Sequence, residues 1–194
     1  MTDYIKIIHR YYPPGTQRHQ IYLRHCEAVK QLALRIAMAH PELRADPVVL
    51  EAGAMLHDIG IFMTDAPEFG CHGDLLYLAH GYKGRELLEK VGLTDIAPVC
   101  ERHIGVGITL KDIVERNLPL PHRDMTPQTI EEKIICYADK FFSKSATDLL
   151  KPKPLEKVKK SVSKYGDDKW LIFEEMMALF GLDQVYSNTS SPSR

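Results

Sequence analysis

Nine histidines among 194 residues are the feature of this sequence that points most directly to chemistry. Histidine is the commonest metal ligand in proteins and the usual proton carrier near neutral pH. One of the nine, His57, is followed directly by Asp58 at the end of an otherwise apolar helical stretch, AMLHDIG. A buried carboxylate needs a cation, and a metal ion held by both side chains would supply one. The alternative is that this helix end simply emerges into solvent.

Two further polar residues lie on apolar helix faces. His25 falls on the same side of its helix as Tyr22 and Val29, and Asp139 lies four residues after Ile135. Either residue alone could be a hydrogen-bonded member of the core. A single metal ion bound by these residues and by the His57-Asp58 pair would account for the burial of all of them. Its predicted ligands are His25, His57, Asp58 and Asp139.

The order of these four residues, with the stretches LRHCEAV, AMLHDIG and IICYADKF around them, resembles the HD-domain superfamily over about residues 18–144. The resemblance implies an all-α, metal-dependent phosphohydrolase that acts on nucleotides or other phosphate esters, although some members are non-catalytic. It also implies that the four residues bind a first metal ion and that Asp58 bridges to a second ion when one is present.

Two more histidines favour a site for two ions. His80 opens a helix in the stretch HGYKG, and His103 ends the helix that contains CERH. Dinuclear members of the superfamily carry additional histidines between the HD doublet and the final Asp, and the order here most resembles the bacterial diadenosine tetraphosphate hydrolases. Read alone, each could be a helix-terminal histidine that faces carbonyls or water. The cofactor expectation is two divalent ions, for which iron, manganese and zinc are equally suitable.

The residues that contact phosphate are less clearly marked. Many catalytic members of the superfamily have Lys directly after HDIG, but Ile61 stands there in this sequence. We predict Lys83, one helical turn after His80, and Arg123 as substrate-binding residues. Asp58 and Lys83 are the predicted catalytic residues. The further basic candidates are Arg102, Lys140 and Lys144.

The reaction that follows from a two-metal site is attack on phosphorus by a metal-bound hydroxide. The expected partner is a small-molecule phosphate ester, most simply a nucleotide. A competing hypothesis is a non-catalytic HD module that binds a metal and a nucleotide in sensing. An RNA-directed nuclease is disfavoured, because 25 Lys and Arg against 26 Asp and Glu leave a formal net charge of −1 and no basic aromatic surface.

The helical periodicity of apolar residues predicts the elements that position these residues. The sequence has no alternating apolar and polar pattern that would predict a strand. The predicted helices cover residues 18–39, 48–57, 79–91, a segment from a Thr94 cap to His103, 109–117, 126–144, 155–164 and 167–180. The predicted fold is all-α: an HD-domain helical core at about 18–144 and a C-terminal helical extension at 153–181. Together they form one expected domain over 1–186, and the polar tail 187–194 is expected to be disordered.

Composition limits the setting of the protein. With 44% hydrophobic and 26% charged residues, the chain is typical of one globular domain. No apolar run approaches the roughly 20 residues that cross a bilayer, and the N-terminus lacks the pattern of a secretory signal. The four scattered cysteines predict reduced thiols, so we expect a cytoplasmic protein. The apolar last helix could pack on the core or form the seam of a homodimer.

Overall fold

The computed structural model describes residues 3–144 and 151–186, and within these ranges the chain forms ten α-helices. Their bounds are α1 Tyr4–Tyr11, α2 Gln17–Ala39, α3 Pro47–Leu56, α4 His80–Lys90, α5 Ala97–Arg102, α6 Leu110–Glu115, α7 Ile130–Lys140, α8 Leu155–Ser163, α9 Asp167–Phe180 and α10 Asp183–Tyr186. Two short strands, β1 Asp65–Ala66 and β2 Cys71–His72, pair antiparallel. The predicted all-α class is confirmed. The predicted tail, 187–194, lies outside the described residues.

The helix that carries Asp139 is shorter than the predicted 126–144. Thr129 Oγ1 accepts a hydrogen bond from the backbone N–H of Glu132, and the Glu132 carboxylate accepts one from the backbone N–H of Thr129. This capping box starts α7 at Ile130. The helix ends at Lys140, so the residues from 141 to 144 leave the helix axis.

Several short elements were not predicted from the sequence. Helix α1 has only 8 residues and α10 only 4, and β1 and β2 have 2 residues each. The two strands and α10 are too short to show a hydrophobic period. The helix that Thr94 was expected to cap begins instead at Ala97, and no side chain caps it.

The core lies between α2, α3 and α7. Val29, Leu32 and Ile36 of α2 are fully buried, as are Ile135 of α7 and Phe141 just after it. His25 and Asp139 lie on two of these helices and the HD doublet directly follows α3, so the apolar packing of the helices brings these four predicted ligands to one place. Within the described ranges, no helix combines the length and the apolar character needed to cross a bilayer.

The C-terminal helices pack on the core through aromatic rings. The Tyr137 ring of α7 lies 5.2 Å from the Phe173 ring and 5.4 Å from the Phe180 ring, measured between centroids. The Tyr137 hydroxyl also donates a hydrogen bond of 2.8 Å to the Gly181 carbonyl. Of the two alternatives for the last helix, the structure shows packing on the core. The homodimer stays a prediction.

Substitution of Phe173 tests this packing. Phe173→Ala removes a ring that is 0% exposed, and we expect it to lower the free energy of unfolding by about 3–5 kcal/mol. The matched control Leu171→Ala, on the same helix but 60% exposed, should stay within about 0.5 kcal/mol of the parent protein. Urea unfolding followed by circular dichroism measures both. Equal losses in the two variants would contradict the role of Phe173.

Candidate metal centre

Five helices bring the six predicted metal ligands into one buried cluster. His25 comes from the middle of α2, the HD doublet follows the last residue of α3, and the others lie at the start of α4, directly after α5 and near the end of α7. Every one of the six side chains is less than 10% exposed. The cluster consists of His25, His57, Asp58, His80, His103 and Asp139.

The first ligand set gathers four donor atoms. The Nε2 atom of His25 lies 3.3 Å from Asp58 Oδ2 and 3.0 Å from Asp139 Oδ1. The Nε2 atom of His57 lies 3.2 Å from that of His25 and 3.3 Å from the same Asp58 Oδ2. Two imidazole nitrogens and two carboxylate oxygens therefore converge, as ligands of one cation do.

The second ligand set uses the other oxygen of the same carboxylate. Asp58 Oδ1 lies 3.5 Å from His80 Nε2 and 3.3 Å from His103 Nε2. The two imidazole nitrogens are themselves 3.3 Å apart. Asp58 thus stands between two groups of imidazoles, with one oxygen directed to each.

The hydrogen bonds around the cluster fit metal binding. The Nδ1 atoms of His57, His80 and His103 lie 2.7, 2.6 and 3.3 Å from backbone carbonyl oxygens, to which they can donate. Each Nε2 lone pair is then free to bind a cation. Both oxygens of Asp58 are buried without a hydrogen bond of proper geometry, which is costly unless a cation compensates them. The residues present could hold two divalent ions.

The electrostatics of the cluster favour the same conclusion. Burial lowers the pKa of His80 to about 3, so its imidazole is neutral at neutral pH. Burial opposes ionisation of Asp58, but His57 and Lys144 hold the pKa of its carboxyl well below the ordinary value. Burial also disfavours a charged His57, yet Asp58 raises the pKa of that imidazole well above its usual range. The negative charge that favours this proton also favours a metal cation in its place.

Two lysines lie against the carboxylates of the cluster. The Lys144 ammonium is 2.9 Å from Asp58 Oδ2 and donates a hydrogen bond of 3.2 Å to the Tyr77 hydroxyl. The Lys140 ammonium is 2.7 Å from Asp139 Oδ2. Both were secondary candidates in the sequence. Tyr77 was missed, and its only signal was a position three residues before His80.

The two basic residues that the sequence ranked first lie elsewhere. Lys83 pairs with Glu86 at 2.9 Å, on the surface of α4. Arg123 pairs at 2.7 Å with the buried Glu101, which also binds Arg85. The structure does not bring Lys83 and Arg123 to the cavity beside the ligands, and their substrate-binding roles stay predictions.

A glycine allows α4 and α5 to approach closely enough for the second ligand set to form. A Cβ atom on Gly81 would lie 2.8 Å from the Cys100 carbonyl oxygen and 2.6 Å from Cδ1 of Ile104. Any larger residue would push the two helices apart. The spacing between His80 and His103 therefore depends on this position.

A cavity of about 280 Å³ opens from the ligand cluster. His80, His103 and Asp139 line its inner end, beside Lys140 and Lys144. The remaining wall is largely apolar and includes Leu78, Ile104, Val106, Ile108, Leu118 and Val162. The cluster is thus accessible to a small molecule that has an apolar body.

A family comparison identifies this arrangement. The model of the HD domain matches residues 22–143, which contain all six clustered ligands. The chain belongs to the HD domain family.

Individual relatives match over part of their length. An uncharacterized protein of Methanocaldococcus jannaschii is 38% identical over 120 residues, which are 60% of this chain and 63% of that protein. A protein of Picrophilus torridus named tRNA (cytidine(56)-2'-O)-methyltransferase is 37% identical over 124 residues, which are 63% of this chain and 32% of that protein. The chain therefore spans less than two thirds of the length of these relatives.

A solved structure shares the fold. The crystal structure of the HD domain of the L. monocytogenes phosphodiesterase PgpH matches with a TM-score of 0.57 and 17% sequence identity. The match covers 97% of this chain and 98% of that chain, so the C-terminal helices are included in the common architecture.

Metal content tests the division into two ligand sets. We expect two ions per chain in anaerobically purified protein, none in Asp58→Ala, and one in His103→Ala, because that variant keeps the first set intact. Elemental analysis of the three proteins measures this, with circular dichroism as the control for folding. Two ions in folded Asp58→Ala would disprove the bridging position of this carboxylate.

Proposed function

We propose that this protein is a metal-dependent phosphohydrolase that cleaves a phosphoester or phosphoanhydride bond of a small molecule, most simply a nucleotide. The observation that supports this proposal is the position of Asp58 between two groups of imidazoles, in a cluster whose members His80, His103 and Asp139 line a cavity beside Lys140 and Lys144. This arrangement combines ligands for two cations with positive charge directed at an anionic substrate.

The side chains divide the work of hydrolysis. Divalent ions in the two ligand sets would supply Lewis acidity and activate water for attack on phosphorus. Asp58 holds the two sets at a fixed separation, and the hydrogen bonds from Nδ1 atoms to carbonyl groups fix the orientation of the imidazole rings. Lys140 and Lys144 stabilise the negative charge of the phosphoryl oxygens.

The cavity favours a small substrate. Its volume of about 280 Å³ is just below the roughly 300–1,000 Å³ that small-molecule pockets usually have. Tyr77 and Tyr165 line it together with the apolar residues, and their rings can contact a flat base. A formal net charge of −1 supports a free nucleotide over a nucleic acid as the substrate.

The activity in the name of the Picrophilus torridus relative is not proposed for this chain. The chain corresponds to 32% of the Picrophilus torridus protein, so the activity in that name belongs to a much longer protein. The proposal for this chain rests on its own six ligands, which serve hydrolysis at a metal centre. Methyl transfer does not require a cluster of two carboxylates and four imidazoles with lysines beside it.

Hydrolysis by metal-loaded protein tests the proposal. With Mn²⁺ or Fe²⁺ loaded anaerobically, we expect release of phosphate from p-nitrophenyl phosphate or from a panel of nucleotides that includes dinucleoside polyphosphates. Asp58→Ala should lose at least ~10³-fold in kcat/KM. The exposed Lys157→Ala is the matched control and should stay within about twofold. Bound ions with no turnover above the Asp58→Ala level would favour a non-catalytic module.

The same assay decides which lysine contacts the phosphate. Lys144→Met keeps the aliphatic stem and removes the ammonium group that lies beside Asp58. We expect a loss of about 10–100-fold in kcat/KM with metal content retained, because hydrogen bonds to charged groups contribute about 1.5–3 kcal/mol. Lys83→Met is measured alongside. A larger loss of kcat/KM in Lys83→Met than in Lys144→Met would support the prediction that Lys83 binds substrate and contradict the assignment of phosphate binding to Lys144.

A further inference from the structure

A second cavity lies beside the metal centre, and the mechanism above does not use it. It has a volume of about 230 Å³ and shares Asp139, Lys140 and Lys144 with the first cavity. Lys153, from the segment before α8, and Ser161 of α8 also line it. We name this second cavity the basic lobe, defined by Lys140, Lys144, Lys153 and Ser161.

Lys153 differs from the other two lysines of the basic lobe. Its backbone N–H donates a hydrogen bond of 2.7 Å to the Phe141 carbonyl, which holds the residue at the edge of the core. Within residues 3–144 and 151–186, no carboxylate forms an ion pair with its ammonium group. Burial, together with the charges of Lys140 and Lys144, lowers the pKa of Lys153 to about 8, although the charge of Asp139 acts in the opposite direction. Three ammonium-bearing side chains therefore line one cavity.

The metal centre makes this positive charge more marked. Lys140 and Lys144 lie against Asp139 and Asp58, the two carboxylates of the cluster. A single divalent ion bound to those carboxylates would neutralise both of them, and a second ion would add further positive charge. The three ammonium groups would then have no acidic partner, so the basic lobe suits a multiply charged anion.

We propose that the basic lobe binds a second phosphoryl group of the substrate. This inference rests on the proposed function and narrows it to esters with at least two phosphoryl groups, such as nucleoside diphosphates, nucleoside triphosphates and bisphosphates. Because Lys140 and Lys144 line both cavities, a phosphoryl group at the ligand cluster can have the apolar body of the molecule on one side and the second phosphoryl group on the other.

Calorimetric titration with inorganic phosphates tests the basic lobe by binding, and a phosphate assay of each titrated sample shows whether pyrophosphate has been hydrolysed. For the full-length, metal-loaded protein we expect pyrophosphate to bind at least tenfold more tightly than orthophosphate. Lys153→Met should weaken pyrophosphate binding about tenfold and change orthophosphate binding by less than twofold, since one charge-assisted contact is lost. Lys153→Arg keeps the positive charge and should retain the preference for pyrophosphate over orthophosphate. The control Lys157→Met, exposed on α8, should behave like the parent protein.

Each outcome of this titration has a definite meaning. Metal content is measured after the titration, so that removal of ions by pyrophosphate is separated from binding to the protein. An equal affinity for the two anions, or an unchanged ratio in folded Lys153→Met, overturns the inference. A preference that depends on Lys153 in a protein that hydrolyses no ester would support the basic lobe and contradict the proposed function.

Discussion

The buried carboxylate of Asp58 is the constraint on which the rest of this structure depends. It is 1% exposed, and an ionised carboxylate in such a place costs several kcal/mol unless cations or donors compensate it. Its two oxygens face different neighbours: His25 and His57 on one side, His80 and His103 on the other. The packing of α2, α3, α4 and α5 is therefore coupled to a single side chain.

The chain around Asp58 is built so that this arrangement can form. The HD doublet follows the last residue of α3, where Asp58 leaves the helical backbone conformation, so its side chain and that of His57 need not point about 100° apart and can both face the cluster. The buried Tyr12 hydroxyl, just after α1, lies 3.3 Å from the carbonyl oxygens of both Asp58 and Ile59 and accepts a hydrogen bond of 3.0 Å from the Phe62 N–H. Gly60 has no room for a side chain, because its Cα faces the His80 carbonyl. An N-terminal helix that carries no ligand thus still supports the metal centre.

Four of the six predicted ligands stand out in the sequence because they are polar residues in apolar helical stretches, whereas His80 and His103 were predicted with the help of the family resemblance. His25 and Asp139 are polar residues on helix faces that are otherwise apolar and buried, and this conflict between residue type and position can be recognised from the sequence alone. The lysines show no such conflict. Lys83 is one turn from His80 but pairs with Glu86, whereas Lys144 reaches Asp58 across 86 positions of the chain. Contacts of that range depend on where α7 ends, and its end at Lys140 was not predictable from periodicity.

The division between the family core and the extension has a consequence for specificity. The HD match ends at residue 143 and contains the six ligands and Lys140. Lys144, Lys153 and Tyr165 follow that match, and each of them lines one or both cavities. The aromatic packing of α9 on Tyr137 holds this part of the chain against the core. On the proposals made above, the core therefore supplies the metal chemistry, while the residues after it decide which phosphate ester reaches the metal centre.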